Sequence, residues 1–406
     1  MPEIISTPSK GVVEGEDRDH HFAYFETQNK RVDQEDALAW HTLGENQLKS
    51  LSPRDIAMRL WTTVRRLDER AKELDKEAGS TACITVFDGK DHVISASVGD
   101  SVAFLVAYGK TGEVISATRL NSTLHHPVLQ SEKERILKAG GHIDARNRLN
   151  GVLAVSRAIG DYDILDPYGR KLAISDAAVD IASISQLLQE EDEPISKIQL
   201  ISTCDGFTDG AKDNSIESHV MYLLTCLARL DKPGLKTEAE VAAFLAACAI
   251  KSNSTDNISI AVQTLVYGLP VFLGVYDGHG GKQIAHEAAM SGSEIFLEQC
   301  HLSQEAYEQQ PLSAVQPKQR YEKENEKAMH FIAKNPPYFL EKASPLINES
   351  ALDEKISTLS LKENSSSHNG LFLEDAKSSL CNGFFSNRTS NKNEEKQTGS
   401  TNVFLS

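Results

Sequence analysis

Four short acidic motifs, far apart in the chain, each stand beside an apolar run of strand character. They are Arg31-Val32-Asp33-Gln34-Glu35-Asp36, Asp205-Gly206, Asp256-Asn257 and Asp277-Gly278-His279-Gly280-Gly281. The runs from Ile198 to Thr203, Ile258 to Val262 and Val271 to Tyr276 read as strands, so the acids fall where strands give way to loops. Such positions let carboxylates converge, and acids in this number make sense together only if folding gathers them around metal ions. Oxygen donors with no clustered His or Cys suit hard cations, so magnesium, manganese or calcium is expected rather than zinc or copper. The glycines after Asp277 let the backbone pass close to an ion and offer a carbonyl as a further oxygen ligand.

Two such ions about 3.5–4 Å apart hold a water between them, lower its pKa and present it in line with a phosphorus atom. His279 is of the right type to protonate the departing oxygen, and Arg31 to grip the phosphoryl oxygens. Singly these motifs are weak, because an Asp-Gly or Asp-Asn pair is most often an ordinary turn.

The chain of 406 residues, 40% of them apolar, is long enough to bury a full core. Its formal charge of -16 speaks against broad attraction to nucleic acid or anionic membrane. No apolar run is long enough to span a bilayer, and Met1 to Lys10 lacks the pattern of a signal peptide, so a cytoplasmic protein is expected. Six cysteines, at 83, 204, 226, 248, 300 and 381, include no CxxC pair and read as buried reduced thiols.

Both helices and antiparallel strands are expected, an α+β chain. Ser52-Pro53 opens a long amphipathic helix over 52–77, and 132–139, 216–230 and 238–251 are further helices. Segments 81–87, 92–98 and 102–107 read as an antiparallel meander turning at Asp88-Gly89 and Gly99-Asp100. This organisation defines a domain over 18–300, a helical extension over 301–345 and a polar, largely disordered tail over 346–406.

Longer segments fill the gaps between the acidic motifs. They are Ser97-Val98-Gly99-Asp100-Ser101, Glu132-Lys133-Glu134-Arg135-Ile136, Ala139-Gly140-Gly141, and the run Arg148-Leu149-Asn150-Gly151-Val152-Leu153-Ala154-Val155-Ser156-Arg157-Ala158-Ile159-Gly160-Asp161. Together, over residues 18–300, these motifs closely resemble the metal-dependent serine/threonine protein phosphatases of the PPM type, also called type 2C. The resemblance implies a four-layer α-β-β-α sandwich of two antiparallel sheets flanked by helices. It implies that Asp277 bridges two manganese or magnesium ions, with Glu35 and the Gly278 carbonyl on one side and Asp205 and Asp256 on the other. Asp36 would hold a metal-bound water, and Asp100, supported by Asp209, would bind a third ion. His279 would be the catalytic acid, and the Arg31 guanidinium would bind the phosphoryl oxygens.

Val102 and Thr208 depart from the arginine and tryptophan common at those places and read as packing changes. Ala154 to Asp161 reads as core strand and turn, in which Arg157 need not touch substrate, and His125 and His126 read as structural or surface residues. Tyr162, Tyr168, Arg170 and Lys171 lie in the stretch that forms a flap in the family, where contact with a phosphopeptide and a plain surface loop are equally open readings.

The order of the motifs departs from the family. There the Asp-Gly-His-Gly-Gly strand and its helix follow the Arg-x-x-x-Glu-Asp strand by a few tens of residues, whereas here they come after Asp256-Asn257. A circular-permutation-like transposition is implied, with Tyr267 to Pro270 closing a hairpin between neighbouring antiparallel strands. A monomer completes its own site in this reading; an exchanged dimer is the alternative.

The function implied is hydrolysis of phosphoserine and phosphothreonine in proteins by a water bridging two metals, without a phosphoenzyme. The alternative is a catalytically inactive, phosphatase-like binding module; a third reading keeps the metal chemistry but moves it to small phosphoesters or nucleotides. The tail, with Glu394-Glu395 and Val403-Phe404-Leu405, is similar to the C-terminal signals of bacterial effectors delivered into host cells by type IV secretion, and a frayed terminus is the other reading.

Overall fold

The runs Ala82–Phe87, Val102–Tyr108 and Val271–Tyr276 are buried at every position, which strands achieve only with cover on both faces. The computed structural model, which describes residues 3–5, 12–44, 46–189, 194–209, 216–229 and 234–310, provides that cover. Along the chain β1 (Glu3–Ile5), β2 (Val12–Asp17), β3 (Phe22–Thr27) and β4 (Ala37–Thr42) lead into α1 (Pro53–Leu74). Next come β5 (Gly79–Ser80), β6 (Ala82–Phe87), β7 (His92–Val98), β8 (Val102–Tyr108), β9 (Val114–Arg119) and α2 (Gln130–Lys138). They are followed by β10 (Ile159–Gly160), β11 (Ala178–Ser183), α3 (Ile184–Leu187), β12 (Lys197–Thr203), α4 (Asp205–Thr208), α5 (Ile216–Arg229) and α6 (Glu238–Lys251). The described chain closes with β13 (Ile258–Thr264), β14 (Val271–Tyr276), β15 (Gly278–His279), α7 (Gln283–His301) and α8 (Gln304–Glu308).

One six-stranded sheet runs β1-β4-β14-β6-β7-β11 and the other β2-β3-β13-β12-β8-β9. Adjacent strands in both are antiparallel. Strand alternation divides the side chains between layers. Leu38, Trp40, Cys83 and Phe87 from the first sheet meet Ala103, Leu105, Leu200 and Ala261 from the second. Ala37, Ala39, Ile84 and Val86 face the other way, onto α1 and α7, while Phe104, Val106, Ile201 and Ile260 lie under α5 and α6. The architecture is the α-β-β-α sandwich of an α+β chain. No described helix is long and apolar enough to cross a membrane.

The long first helix begins as its sequence dictates: Ser52 caps the backbone of Asp55, whose carboxylate reaches back to Ser52, and Pro53 occupies the first turn. Ile56, Leu60, Val64, Leu67 and Ala71 form its buried stripe. Its partner α7 brings Phe296 against Phe272 of β14, ring centroids 5.7 Å apart.

Two expectations about strand pairing are corrected. The meander stops after β7, because at Gly99-Asp100 the chain leaves the first sheet and β8 pairs with β12 and β9 of the second. Gly99 turns there with φ 89°, and a Cβ on it would lie 2.6 Å from that of Thr81. Nor does Tyr267 to Pro270 close a hairpin. Both edges of β13 are taken, by β3 and β12, so the chain crosses to the first sheet and β14 enters between β4 and β6. The described structure also takes in β1 and β2, ahead of residue 18, and α8, whose Tyr307 hydroxyl bonds the Met58 carbonyl of α1 at 2.8 Å. Most of the expected 301–345 extension and the whole 346–406 tail, with its secretion-signal reading, lie outside the described residues.

Candidate metal centre

The four acidic motifs meet because their strands pair in two couples. β14 and β4 run antiparallel with Tyr276 opposite Ala37, so Asp277 and Asp36 leave the first sheet at one end. β12 and β13 do the same in the second sheet, with Thr203 opposite Ile260, placing Asp205 beside Asp256-Asn257. The glycine in each Asp-Gly pair is a requirement of this meeting. A Cβ on Gly278 would stand 2.3 Å from the Glu35 carbonyl oxygen, and one on Gly206 would stand 1.9 Å from that of Asn257. Asn257, nearly fully buried, completes the lock: its side chain accepts from the Glu35 amide at 3.0 Å and donates to the Gln28 and Asp33 carbonyls at 3.0 Å.

Asp36, Cys204 and Asp277 offer ligand atoms all within 4.8 Å of one another, and so do Asp205, Asp209 and Asp256. Burial, and then the charge of Asp205, push Asp277 well above the usual carboxylate range. Burial and Asp100 lift Asp205 to about 8, although a hydrogen bond with Asp277 opposes the shift. Burial raises Asp36 to about 7 against the pull of the Ser259 hydroxyl, which donates to it at 2.7 Å. Asp100, at the chain's crossing between sheets, is raised to about 6 by burial. The Oδ1 atoms of Asp36, Asp100 and Asp205 are buried without a hydrogen-bond partner among the described residues.

Acids this crowded resist ionisation unless positive charge joins them, and every ionisable oxygen here is a hard donor. The residue set fits divalent cations of the magnesium and manganese class. Burial, with Asp36, holds the Cys204 thiol well above its ordinary value, so it stays protonated beside the acids. Glu26, fully buried on β3, is likewise pushed well up by burial and by Asp36.

Arg31 lies at the rim, its side chain half exposed and its Nη2 2.5 Å from Asp256 Oδ2. His279 sits in β15, which pairs with β5, which in turn pairs with β10. This three-stranded ribbon delivers a residue that the sequence reading had left in a core segment. Asp161, just past β10 and 2% exposed, places its two carboxylate oxygens 2.8 and 2.9 Å from His279 Nε2. Burial opposes the charged imidazole, but Asp161, with Asp100 and Glu35, raises it above its ordinary value. In the structure Gly160 and Asp161 both take positive φ, 85° and 55°.

Other expected residues turn to structural work. Arg157 binds Glu132, at 3.1 Å from Nε, and the Asp176 carbonyl at 2.7 Å. Tyr162 and Lys171 both bond Asp68 on α1, at 3.1 and 2.6 Å. Tyr168 stays 80% exposed, with Arg170 over its ring. His125 is fully buried, whereas His126 places Nδ1 3.6 Å from Asp100 Oδ2, at the edge of the acidic cluster. Val102 is core, and the Thr208 hydroxyl bonds the Asp205 carbonyl at 3.1 Å.

The chain is similar to known proteins. The family model described as Protein phosphatase 2C matches residues 11–258. Protein phosphatase 2C homolog 2 of Hypocrea jecorina is 33% identical over 164 residues, 39% of this chain and 33% of that protein. Human Protein phosphatase 1F is 32% identical over 238 residues, 57% of this chain and 46% of its own length. The chain thus spans between a third and a half of these two relatives. A solved phosphatase from Toxoplasma gondii superposes with a TM-score of 0.44 at 20% identity, covering 66% of this chain and 98% of that one.

Proposed function

This chain belongs to the protein phosphatase 2C family, and from that premise we propose that it is a metal-dependent phosphatase acting on phosphoserine and phosphothreonine in proteins. The convergence of Asp36 with Asp277 and of Asp205 with Asp256, two groups joined by a hydrogen bond between Asp205 and Asp277, carries the reading. Asp277, Glu35 and the Gly278 carbonyl would hold one divalent cation, and Asp277, Asp205 and Asp256 a second. Asp36 would orient a water, and Asp100, with Asp209, would hold a third cation. Bound there, two divalent cations would supply an activated water as nucleophile and offset the charge of the phosphoryl group.

The chain's own side chains do the rest. Arg31 is close enough to the acids to hold a phosphoryl oxygen at the rim, and its half-exposed side chain is free to exchange Asp256 for substrate. His279 donates a proton to the departing seryl or threonyl oxygen. Gly206 and Gly278 keep the two pairs of motifs in register.

In this account the segment 271–301 is the family's own strand and helix, carried at a later point of the chain, and the site is completed within one copy. Leu43, at the end of β4, donates its amide to the Pro270 carbonyl at 2.8 Å. At the other end, Arg59 near the start of α1 bonds the Gln299 carbonyl at 3.1 Å. Each end of the segment thus lies beside the part of the chain it would join in the family's order, which supports this reading.

Release of phosphate from a phosphothreonine peptide tests the reading. Turnover that needs manganese or magnesium, stops in chelator and is lost in Asp277→Ala supports it. Metal binding without turnover of any phosphopeptide would favour the binding module instead.

A further inference from the structure

We infer that Asp161 is a positioning residue for His279, fixing which ring nitrogen faces the reacting phosphate; this rests on the phosphatase reading above. The observations are geometric. Nε2 of His279 meets both oxygens of Asp161, at 2.8 and 2.9 Å. A carboxylate only accepts, so Nε2 carries the hydrogen. Nδ1 makes no hydrogen bond among the described residues, which leaves it as the nitrogen available to substrate.

The surroundings are shaped to hold this pair. β5 lies between the two residues' strands, with Gly79 opposite both Gly160 and His279. A Cβ on Gly79 would lie 2.3 Å from Asp161 Oδ2, so the carboxylate occupies the space that a side chain there would fill. Gly160 and Asp161 take successive left-handed conformations, the second being uncommon for a residue with a side chain. The Gly160 amide is held by Asp68 Oδ1 at 2.9 Å, which anchors this turn to α1. A backbone that bears this strain to aim one acid at one imidazole is built for that contact.

The consequence for the reaction is a defined path for one proton. As a water oxygen bonds to phosphorus and gives up a proton to solvent, the bond from phosphorus to the seryl or threonyl oxygen breaks, and that oxygen keeps the electron pair and takes the proton from Nδ1 of the imidazolium. The ring is left neutral with its remaining hydrogen on Nε2, still bound to Asp161, and Nδ1 regains a proton from solvent. Without Asp161 the ring can rotate or adopt the other tautomer, and the donor is misplaced.

Leaving-group dependence tests this in the full chain. Asp161→Asn and Asp161→Ala are expected to lower kcat on a phosphothreonine peptide by about 10–100-fold, with KM little changed. On p-nitrophenyl phosphate, whose leaving group needs little protonation, the loss is expected to be no more than about threefold, because general-acid help matters less there. Asp161→Asn added to His279→Gln should cost no more than His279→Gln alone. Gly79→Ala, which keeps both residues but crowds the carboxylate, should repeat the pattern if the Asp161 variants fold poorly. Equal losses on both substrates, or losses that add to those of His279→Gln, would overturn the inference and leave the phosphatase reading standing. Nitrogen-15 spectra of the histidine rings give an answer even without turnover: hydrogen on Nε2 of neutral His279 is expected, and hydrogen on Nδ1 contradicts it.

Discussion

At Asp277, burial and the neighbouring Asp205 both oppose ionisation. Its carboxyl is held well above the 3.8 of an ordinary aspartate, so the stability it contributes is full below that pH and is lost as pH rises through the raised folded value. In chelator at pH 8, Asp277→Asn should therefore be more stable than the parent, by about 1 kcal/mol or a melting shift of roughly 2–4 °C. Manganese should raise the parent's melting temperature by mass action and leave the variant's unchanged. A variant that melts lower than the parent in chelator would show that repulsion at this acid has been overstated. The acids themselves were legible in the sequence, because each stands where a strand ends. Asp161 was not: its partner lies 118 positions away, and its run reads equally well as core until the small ribbon brings β10 to β15.

Helices were easier to read than strand partners. The bounds of α6, 238–251, follow from a capping box at Thr237 and Glu240 and an apolar stripe, both local properties. Which sheet a strand joins is not local. Because the strands are covered on both faces, alternation does not distinguish β8 from a third meander strand, and the crossing at Gly99 looks like a hairpin turn. The α2 element illustrates how the connecting loops are then secured. Burial opposes ionisation of Glu132, yet hydrogen bonds and charge from Arg157 and Arg135 outweigh it and hold the acid at about 2. Its contribution is thus full above pH 4.5 and lost as pH falls through about 2. Glu132→Gln should cost about 3 kcal/mol at neutral pH, measured by urea unfolding, and the gap from the parent should narrow between pH 4.5 and 2. A gap independent of pH would mean that packing, not the ion pairs, ties α2 to the 148–176 loops.

For the whole molecule, the proposed transposition of residues 271–301 is compatible with the pairing of β14. β14 fills the place between β4 and β6 whichever way the chain arrives, since its hydrogen bonds to both neighbours do not depend on the connection. A chain reordered so that residues 270–308 stand between residues 44 and 46, with short glycine-serine linkers, should fold to the same sandwich. We expect it to melt within about 5 °C of the parent and to bind manganese equally well. Aggregation of the reordered chain, or loss of metal binding with the fold intact, would show that the late position of the segment is needed. Motif order in the sequence implies the proposed transposition but not the route of the chain, because the crossing between sheets depends on both edges of β13 being occupied.

The central claim is that four motifs distant in sequence form one two-metal centre within a single chain. Diffraction from manganese-loaded crystals at the manganese absorption edge tests it most directly. The account predicts two anomalous peaks about 3.5–4 Å apart, bridged by Asp277, with Glu35 and the Gly278 carbonyl at one and Asp205 and Asp256 at the other. No peak at Asp277, or peaks completed by Asp277 of a second copy, would contradict it.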